Sequence, residues 1–173
     1  VGDHEKLVNS FVQVVKDYYD VESWTRKAIL EIYALFEKQP TLEQKISNLL
    51  NLAGQYENVP LIAAATHNRI GELYYKANEN LLAKEAYKKA MEGKADSERY
   101  KARLALARIY SDEENFEKSL WIYQAIADES KEIKDKLREA RENYIRKSIW
   151  KGDWELKVGE VKLALKTFLK LIE

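Results

Sequence analysis

Two residue patterns, separated by a short polar stretch, constrain the fold of this chain more than any other feature. They are Ile70-Gly71-x-x-Tyr74 and Ala83-x-x-x-Tyr87-x-x-Ala90. Spacings of three and four residues place each set on one face of a helix. Because Gly71 has no side chain, a second helix can approach closely there, and we expect the small–large–small face of that helix to accept the aromatic ring of the first helix. Residues 78–80, Asn-Glu-Asn, favour a turn, so the patterns predict two packed helices.

The same pattern recurs 36 residues later, and the recurrence indicates a repeat. Leu106-Ala107-x-x-Tyr110 matches the first pattern and Ser119-x-x-x-Tyr123 matches the second. A period of about 34 residues is typical of repeats that consist of two helices. The bulkier Ile126 stands in the place of Ala90, so we expect a local shift in this second pair.

A third copy of the pattern is incomplete. Its second helix carries Ala164-x-x-x-Phe168-x-x-Leu171, and residues 131–150 are expected to form its first helix. The residues of that helix expected to face inward are Leu137, Ala140 and Tyr144. Ala164 follows Ala140 by 24 residues, twice the corresponding interval in the first pair. We therefore predict an elongated or interrupted repeat, with an insertion over residues 149–160.

The N-terminal part also shows helical periodicity. Apolar residues at helical spacing predict helices near 4–19, 22–38 and 41–56. Thr41-x-x-Gln44 is a capping box, and Pro60 is well placed to begin the next helix. We expect one continuous domain. It has N-terminal helices over 1–60, which include a degenerate copy of the helix pair over 22–38 and 41–56, and repeats over 61–95, 97–129 and 131–173.

Composition excludes several classes of protein. Six glycines and two prolines among 173 residues argue against an all-β sandwich, and 46% apolar residues suffice for a core. The formal net charge is zero, so attraction to nucleic acid or to an anionic membrane is not expected. No apolar run is long enough to insert into a membrane. The chain begins at Val1 rather than Met, and we expect that a signal or anchor was removed upstream.

On the residues quoted above, the chain resembles the tetratricopeptide-repeat superfamily over roughly residues 61–173. The resemblance implies an all-α, right-handed superhelix of about eight antiparallel helices that binds a peptide or helix of a partner protein in its concave groove. The overall layout is similar to bacterial envelope members of the superfamily, including the single-anchor subunit associated with the secretion translocon. This similarity implies a periplasmic or extracytoplasmic location, with the cytoplasm as the alternative.

In this superfamily, the first helix of each repeat lines the concave surface. The candidate groove residues are therefore Asn68, Glu72, Tyr75, Lys76, Lys101, Leu104, Arg108 and Asp112. Ordinary solvated surface is the alternative for each of them. Members that clamp the carboxylate tail of chaperones carry lysine and asparagine on the first groove helix. Glu72 would place a like charge beside such a tail, so we expect no chaperone-tail binding.

Trp150 and Trp154 form a second candidate surface, because exposed tryptophans dominate interface energies. The alternative is that they close the C-terminal end of the core. Trp24 and Trp121 are expected to be core residues.

Catalysis is not expected. The two histidines are His4 and His67, and His67 shares the packed face of Gly71. The chain has no cysteine, no phosphate-binding glycine loop and no nucleophile motif, so no metal site or cofactor is predicted. Two further hypotheses stay open. One is a homo-oligomer formed through the terminal helices, and the other is an apolar small-molecule site at Tyr75, Leu104 and Tyr110.

Overall fold

The computed structural model describes residues 2–18, 22–127 and 131–171. Within these ranges the chain forms nine α-helices and no β-strand. They are α1 (Gly2–Asp17), α2 (Glu22–Glu37), α3 (Leu42–Gln55), α4 (Pro60–Lys76), α5 (Asn80–Glu92), α6 (Asp96–Asp112), α7 (Phe116–Ala125), α8 (Lys131–Lys157) and α9 (Val161–Leu169). None of the described helices is long and apolar enough to cross a membrane.

The expected start signals begin two of these helices. The Thr41 hydroxyl accepts a hydrogen bond from the backbone N–H of Gln44 at 3.2 Å, which satisfies a donor left open at the start of α3. Pro60 is the first residue of α4, where its missing N–H costs no helical hydrogen bond.

Three helix pairs share the same turn. Asn78, Glu114 and Gly159 each adopt a positive φ, at 61°, 55° and 83° respectively. The next backbone N–H in each turn donates to a carbonyl five residues back, and these acceptors belong to Tyr74, Tyr110 and Glu155. The N···O distances are 2.9, 2.8 and 2.8 Å. The turns are therefore 36 and 45 residues apart, and Glu155 stands where the earlier pairs have tyrosine.

The chain divides into two compact units, residues 1–103 and 104–173. In the first unit, α1 packs on α2, α3 packs on α4, and α4 packs on α5. Its core is mainly aliphatic and includes Val12, Ile32, Leu49, Ile62 and Ile70. In the second unit, α8 packs on both α7 and α9.

The Tyr87 ring of α5 packs directly against Gly71 of α4. A Cβ atom added at Gly71 would lie 2.7–2.9 Å from three atoms of the Tyr87 ring. The predicted close approach is confirmed, although the ring comes from the second helix of the pair rather than from the first.

The third pair has a different register from the predicted one. Residues 131–157 form one continuous helix, α8, and a Cβ atom added at Gly152 would clash with the Phe168 ring. Gly152 is thus the equivalent of Gly71, 16 residues before its aromatic partner in both pairs. The extra residues of the third pair therefore lie before Gly152 and lengthen helix α8. Of the two predicted alternatives, an elongated or an interrupted repeat, the continuous helix matches the elongated one.

The prediction of an all-α fold with sequentially packed helices is confirmed for each unit. Nine helices are present in the described residues, where about eight were expected. The right-handed superhelix and the division at residue 60 stay predictions.

Candidate interaction surfaces

A charged face links three helices of the first unit. Arg69 of α4 forms ion pairs with Glu37 of α2 and with Glu72 of its own helix, the latter at 2.6 Å. The Arg69 side chain is 20% exposed, so this pair of bridges is partly shielded from solvent. The same face continues onto α6 through Glu98.

Asn68 and Lys101, both predicted groove residues, meet at Glu98. The Asn68 amide nitrogen donates to the Glu98 carboxylate at 2.7 Å and to the Glu98 backbone carbonyl at 2.9 Å. The Lys101 ammonium group donates to the other oxygen of the same carboxylate. Asn68 is only 5% exposed. Its side chain therefore holds α4 against α6 rather than standing free on the surface.

The hydroxyl of Tyr33 on α2 lies close enough to Glu98, Glu72 and Arg69 for their charges to affect its pKa. Burial raises the pKa of its hydroxyl above the ordinary value of 10.0, and the carboxylates of Glu98 and Glu72 act in the same direction. Arg69 opposes them. The sequence interpretation missed Arg69 and Glu98, although the three-residue spacing from Glu98 to Lys101 is a usable signal.

The remaining predicted groove residues divide between the units. In the first unit, Tyr75 is half-buried and Lys76 is exposed. In the second, Leu104 is half-buried, whereas Arg108 and Asp112 are exposed. The use of these residues as a partner-binding groove stays a prediction.

A cleft of about 560 Å³ opens in the second unit between the α6–α7 turn, α8 and α9. The turn side is acidic, and the α8 and α9 sides carry lysines. Its lining residues are Glu113, Glu114, Asn115, Phe116, Glu117, Tyr144, Lys147, Ser148, Lys151, Leu163, Lys166, Thr167 and Lys170. None of Tyr75, Leu104 and Tyr110, which were proposed for a small molecule, lines this cleft.

Two ion pairs span the cleft. The Lys147 ammonium group donates to the backbone carbonyl of Glu114 at 2.8 Å and lies 3.2 Å from its carboxylate. Lys170 lies 3.9 Å from the Glu117 carboxylate. All four side chains are largely exposed, so each pair contributes little to stability. The glutamates of one wall and the lysines of the other nearly balance, so the cleft has no strong net charge.

Glu155 lies behind the cleft and is only 1% exposed. One carboxylate oxygen accepts a hydrogen bond from the Thr167 hydroxyl at 2.7 Å, which ties α8 to α9. The other oxygen lies 3.7 Å from the Lys151 ammonium group and receives no hydrogen bond from the described residues. Burying a carboxylate that has a hydrogen bond to only one of its two oxygens costs free energy, and the nearby charge of Lys151 offsets part of that cost.

All four tryptophans are exposed. The exposed fractions are 60% for Trp24, 71% for Trp121, 69% for Trp150 and 54% for Trp154. The core expectation for Trp24 and Trp121 is therefore wrong, as is the alternative that Trp150 and Trp154 close the core. At about 100° per residue, Trp150 and Trp154 lie on the side of α8 opposite Gly152, away from α9.

His67 is half-buried, and burial lowers the pKa of its imidazole, with the nearby Lys89 acting in the same direction. The side chain of His4 lies outside the described residues. No group of three or more metal-ligating side chains occurs in the part of the chain that the structure describes.

Comparison with known proteins finds a distant relative. The chain is 29% identical over 134 residues to the uncharacterized protein ycf37 of Porphyra purpurea. The alignment covers 78% of this chain and 66% of that protein, so it spans slightly less than two thirds of the relative's length. No family model matches the chain, and no solved structure matches it significantly.

Proposed function

We propose that this chain is a protein-interaction module of the tetratricopeptide-repeat type, which binds a peptide or helix of a partner protein and does not act as an enzyme. The observation that carries this proposal is the exposure of Trp150 and Trp154, one turn apart on the same side of a long helix. Tryptophan is highly buried on average, and an exposed pair leaves much apolar area in contact with water. A partner that covers both rings removes that area from water.

The repeated construction supports the tetratricopeptide type. Three helix pairs share a turn with a positive φ, and in two of them a glycine of the first helix lies under an aromatic ring of the second. These features correspond to the Gly–Tyr–Ala–Phe spacing of that repeat. The proposal includes an envelope location and a role in a secretion assembly. Cellular localisation of the chain tests this part.

Site-specific crosslinking tests the proposal. A photo-crosslinking amino acid replaces Trp154 in one variant and Lys134, an exposed residue of the same helix, in another. Both variants are irradiated in extract of the source cells. We expect a discrete adduct with another polypeptide from position 154, absent from position 134 and absent when Trp150→Ala is added. Identical adducts at both positions would argue against a tryptophan-centred interface.

Binding measurements with the purified adduct partner provide the quantitative test. The double variant Trp150→Ala with Trp154→Ala should weaken binding by about tenfold or more, as expected for interface anchors. Trp24→Ala in the first unit is the matched control, because Trp24 is equally exposed. An adduct formed only between two copies of this chain would support the homo-oligomer hypothesis instead.

A further inference from the structure

Glu155 places a fixed negative charge directly behind the cleft of the second unit. Its side chain is 1% exposed, and the two side chains that approach its carboxylate, Thr167 and Lys151, both line the cleft. The Thr167 hydroxyl donates to one carboxylate oxygen at 2.7 Å. The other oxygen is buried and receives no hydrogen bond from the residues that the structure describes. A buried acceptor in this state costs free energy until a donor reaches it.

Lys151 lies close enough to offset the charge of this oxygen but does not donate a hydrogen bond to it. The two atoms are 3.7 Å apart, and the lysine precedes the glutamate by four residues on α8. Lysine before glutamate is the less favourable order for such a pair on a helix. The Lys151 side chain is 60% exposed, so its ammonium group can turn into solvent. A cation that enters the cleft can therefore take the place of Lys151 beside Glu155.

The other ion pairs of the cleft can also be exchanged. Lys147 pairs with Glu114, and Lys170 pairs with Glu117, through side chains that are between 48% and 72% exposed. Exposed pairs of this kind contribute little to stability, so a ligand can replace either partner at small cost. Glu155 cannot be replaced in this way, because it is buried and hydrogen-bonded. The cleft thus combines movable charges with a fixed negative one, which favours a cationic ligand.

Two aromatic rings narrow the choice of cation. Phe116 and Tyr144 both line the cleft and are half-buried. The Lys147 ammonium group already lies 5.5 Å from the centre of the Phe116 ring, so a cation fits over that ring. A guanidinium group stacks on aromatic rings, and its planar fork of N–H groups matches a carboxylate better than an ammonium group does. These properties favour arginine over lysine.

The size of the cleft favours a peptide over an isolated cation. Its volume of about 560 Å³ lies within the range of ligand-binding sites. An arginine side chain occupies a minor part of that volume. The remainder, which includes the apolar side chain of Leu163, can accommodate the residues that flank the arginine.

We propose that the cleft binds an arginine-bearing segment of a partner polypeptide, whose guanidinium group displaces Lys151 and donates a hydrogen bond to the unpartnered oxygen of Glu155. The proposal rests on the proposed function only in taking the ligand to be a polypeptide. Neither Trp150 nor Trp154 lines the cleft, so the two surfaces can be tested separately.

Isothermal titration calorimetry with three short peptides tests the charge of the ligand. The first probe is a blocked pentapeptide with a central arginine between two leucines. The second carries citrulline, the uncharged isostere of arginine, at the centre, and the third carries glutamate. We expect the arginine peptide to bind at least about tenfold more tightly than the citrulline peptide, because its hydrogen bond to the carboxylate is charge-assisted. Equal affinities of these two peptides, or tightest binding of the glutamate peptide, would overturn the proposal.

Lys151→Met tests whether the lysine occupies the place of the ligand. This variant should bind the arginine peptide about threefold more tightly, because the guanidinium group no longer competes with the ammonium group. Lys157→Met is the matched control, since Lys157 is an exposed lysine of the same helix outside the cleft, and the same charge is removed. A purely structural role of Lys151 predicts no gain. Unchanged or weaker binding in Lys151→Met would therefore contradict the proposal.

Glu155→Gln tests the contact with the carboxylate. The neutral amide should reduce the preference for arginine over citrulline to about twofold or less, whereas Glu139→Gln, at an exposed position of α8, should preserve it. A preference that survives in folded Glu155→Gln would place the guanidinium group elsewhere and overturn the proposal. Circular dichroism shows whether the variant folds, and if it does not, the Lys151→Met comparison decides.

Two further measurements separate the source of the cation and the two surfaces. Agmatine, a free guanidinium compound, should bind more weakly than the arginine peptide, and equal affinity would overturn the assignment of a polypeptide ligand. The Trp154 adduct should persist in Lys151→Met. If the arginine preference is absent while the adduct forms, the cleft proposal fails and the proposed function stands. If the preference is present while no adduct forms at position 154, the tryptophan-centred interface fails and the cleft proposal stands.

Discussion

Gly71→Ala tests whether the contact between α4 and α5 has the geometry described. The added Cβ would lie 2.7 Å from the nearest atom of the Tyr87 ring, closer than carbon atoms approach without a shift. Tyr87 is only 4% exposed, so the ring has little free space into which to move. Overpacking of this kind costs about 1–3 kcal/mol, and the better helix propensity of alanine offsets about 1 kcal/mol. We expect a net loss of up to about 2 kcal/mol.

Gly54→Ala is the matched control for this prediction. Gly54 also lies in a helix, α3, but a Cβ atom there would meet no other group within 4 Å. Only the helix-propensity gain applies, so this variant should be more stable than the parent by about 0.5–1 kcal/mol. The same chemical change thus has opposite signs at two positions.

Urea unfolding followed by circular dichroism measures both variants, and hydrogen exchange of the α4 and α5 amides places the change in the first unit. The double variant Gly71→Ala with Tyr87→Leu should lose less unfolding free energy than the sum of the two single losses, because the smaller side chain relieves the clash. The packing argument is refuted if Gly71→Ala proves as stable as Gly54→Ala.

Three further predictions concern buried and exposed polar groups. Asn68→Leu removes a donor from the buried Glu98 carboxylate and should cost about 1–3 kcal/mol of unfolding free energy, whereas Arg99→Ala, which breaks an exposed ion pair, should cost under about 1 kcal/mol. Burial raises the pKa of Tyr33 above 10.0, so its contribution to stability is complete below pH 10 and decreases as pH rises further. Unfolding in urea across this range should show a smaller alkaline loss for Tyr33→Phe, and an equal loss would contradict the assignment. Finally, the native emission maximum of the four exposed tryptophans should lie close to that of the unfolded chain, and a strongly blue-shifted maximum would show that they are covered.

The repeat pattern predicted the fold well where the residues that pack are also the residues that recur. Gly71, Tyr87 and the turn at Asn78 were identified correctly, because each has a local physical requirement that the sequence displays. The third pair was misread for the opposite reason. Glu155 replaces the expected tyrosine, so the register of the first helix could not be recognised from side-chain type.

The candidate surfaces were less predictable than the fold. Asn68 has the polarity of a groove residue, yet its partner Glu98 lies 30 residues away, and only the fold shows that the two meet. The exposure of Trp150 and Trp154 follows from Gly152 facing α9, which turns the two tryptophans to the opposite side of α8. The sequence interpretation did not assign Gly152 to that contact, so it could not predict this orientation. Helix existence is a local property, whereas exposure depends on long-range packing.

Helix α9 forms one wall of the cleft, and its exposed aliphatic side chains Val161, Leu165 and Leu169 lie on its other side. Any molecule that binds on either side does so only while α9 is docked on α8 through Gly152, Phe168 and the Thr167–Glu155 hydrogen bond. A ligand on one side would therefore stabilise the docked α9 that a ligand on the other side also needs. Substitutions at Gly152 would change the affinities of both ligands by a common factor, without contacting either one. A single short helix would thus couple binding events on its two opposite sides.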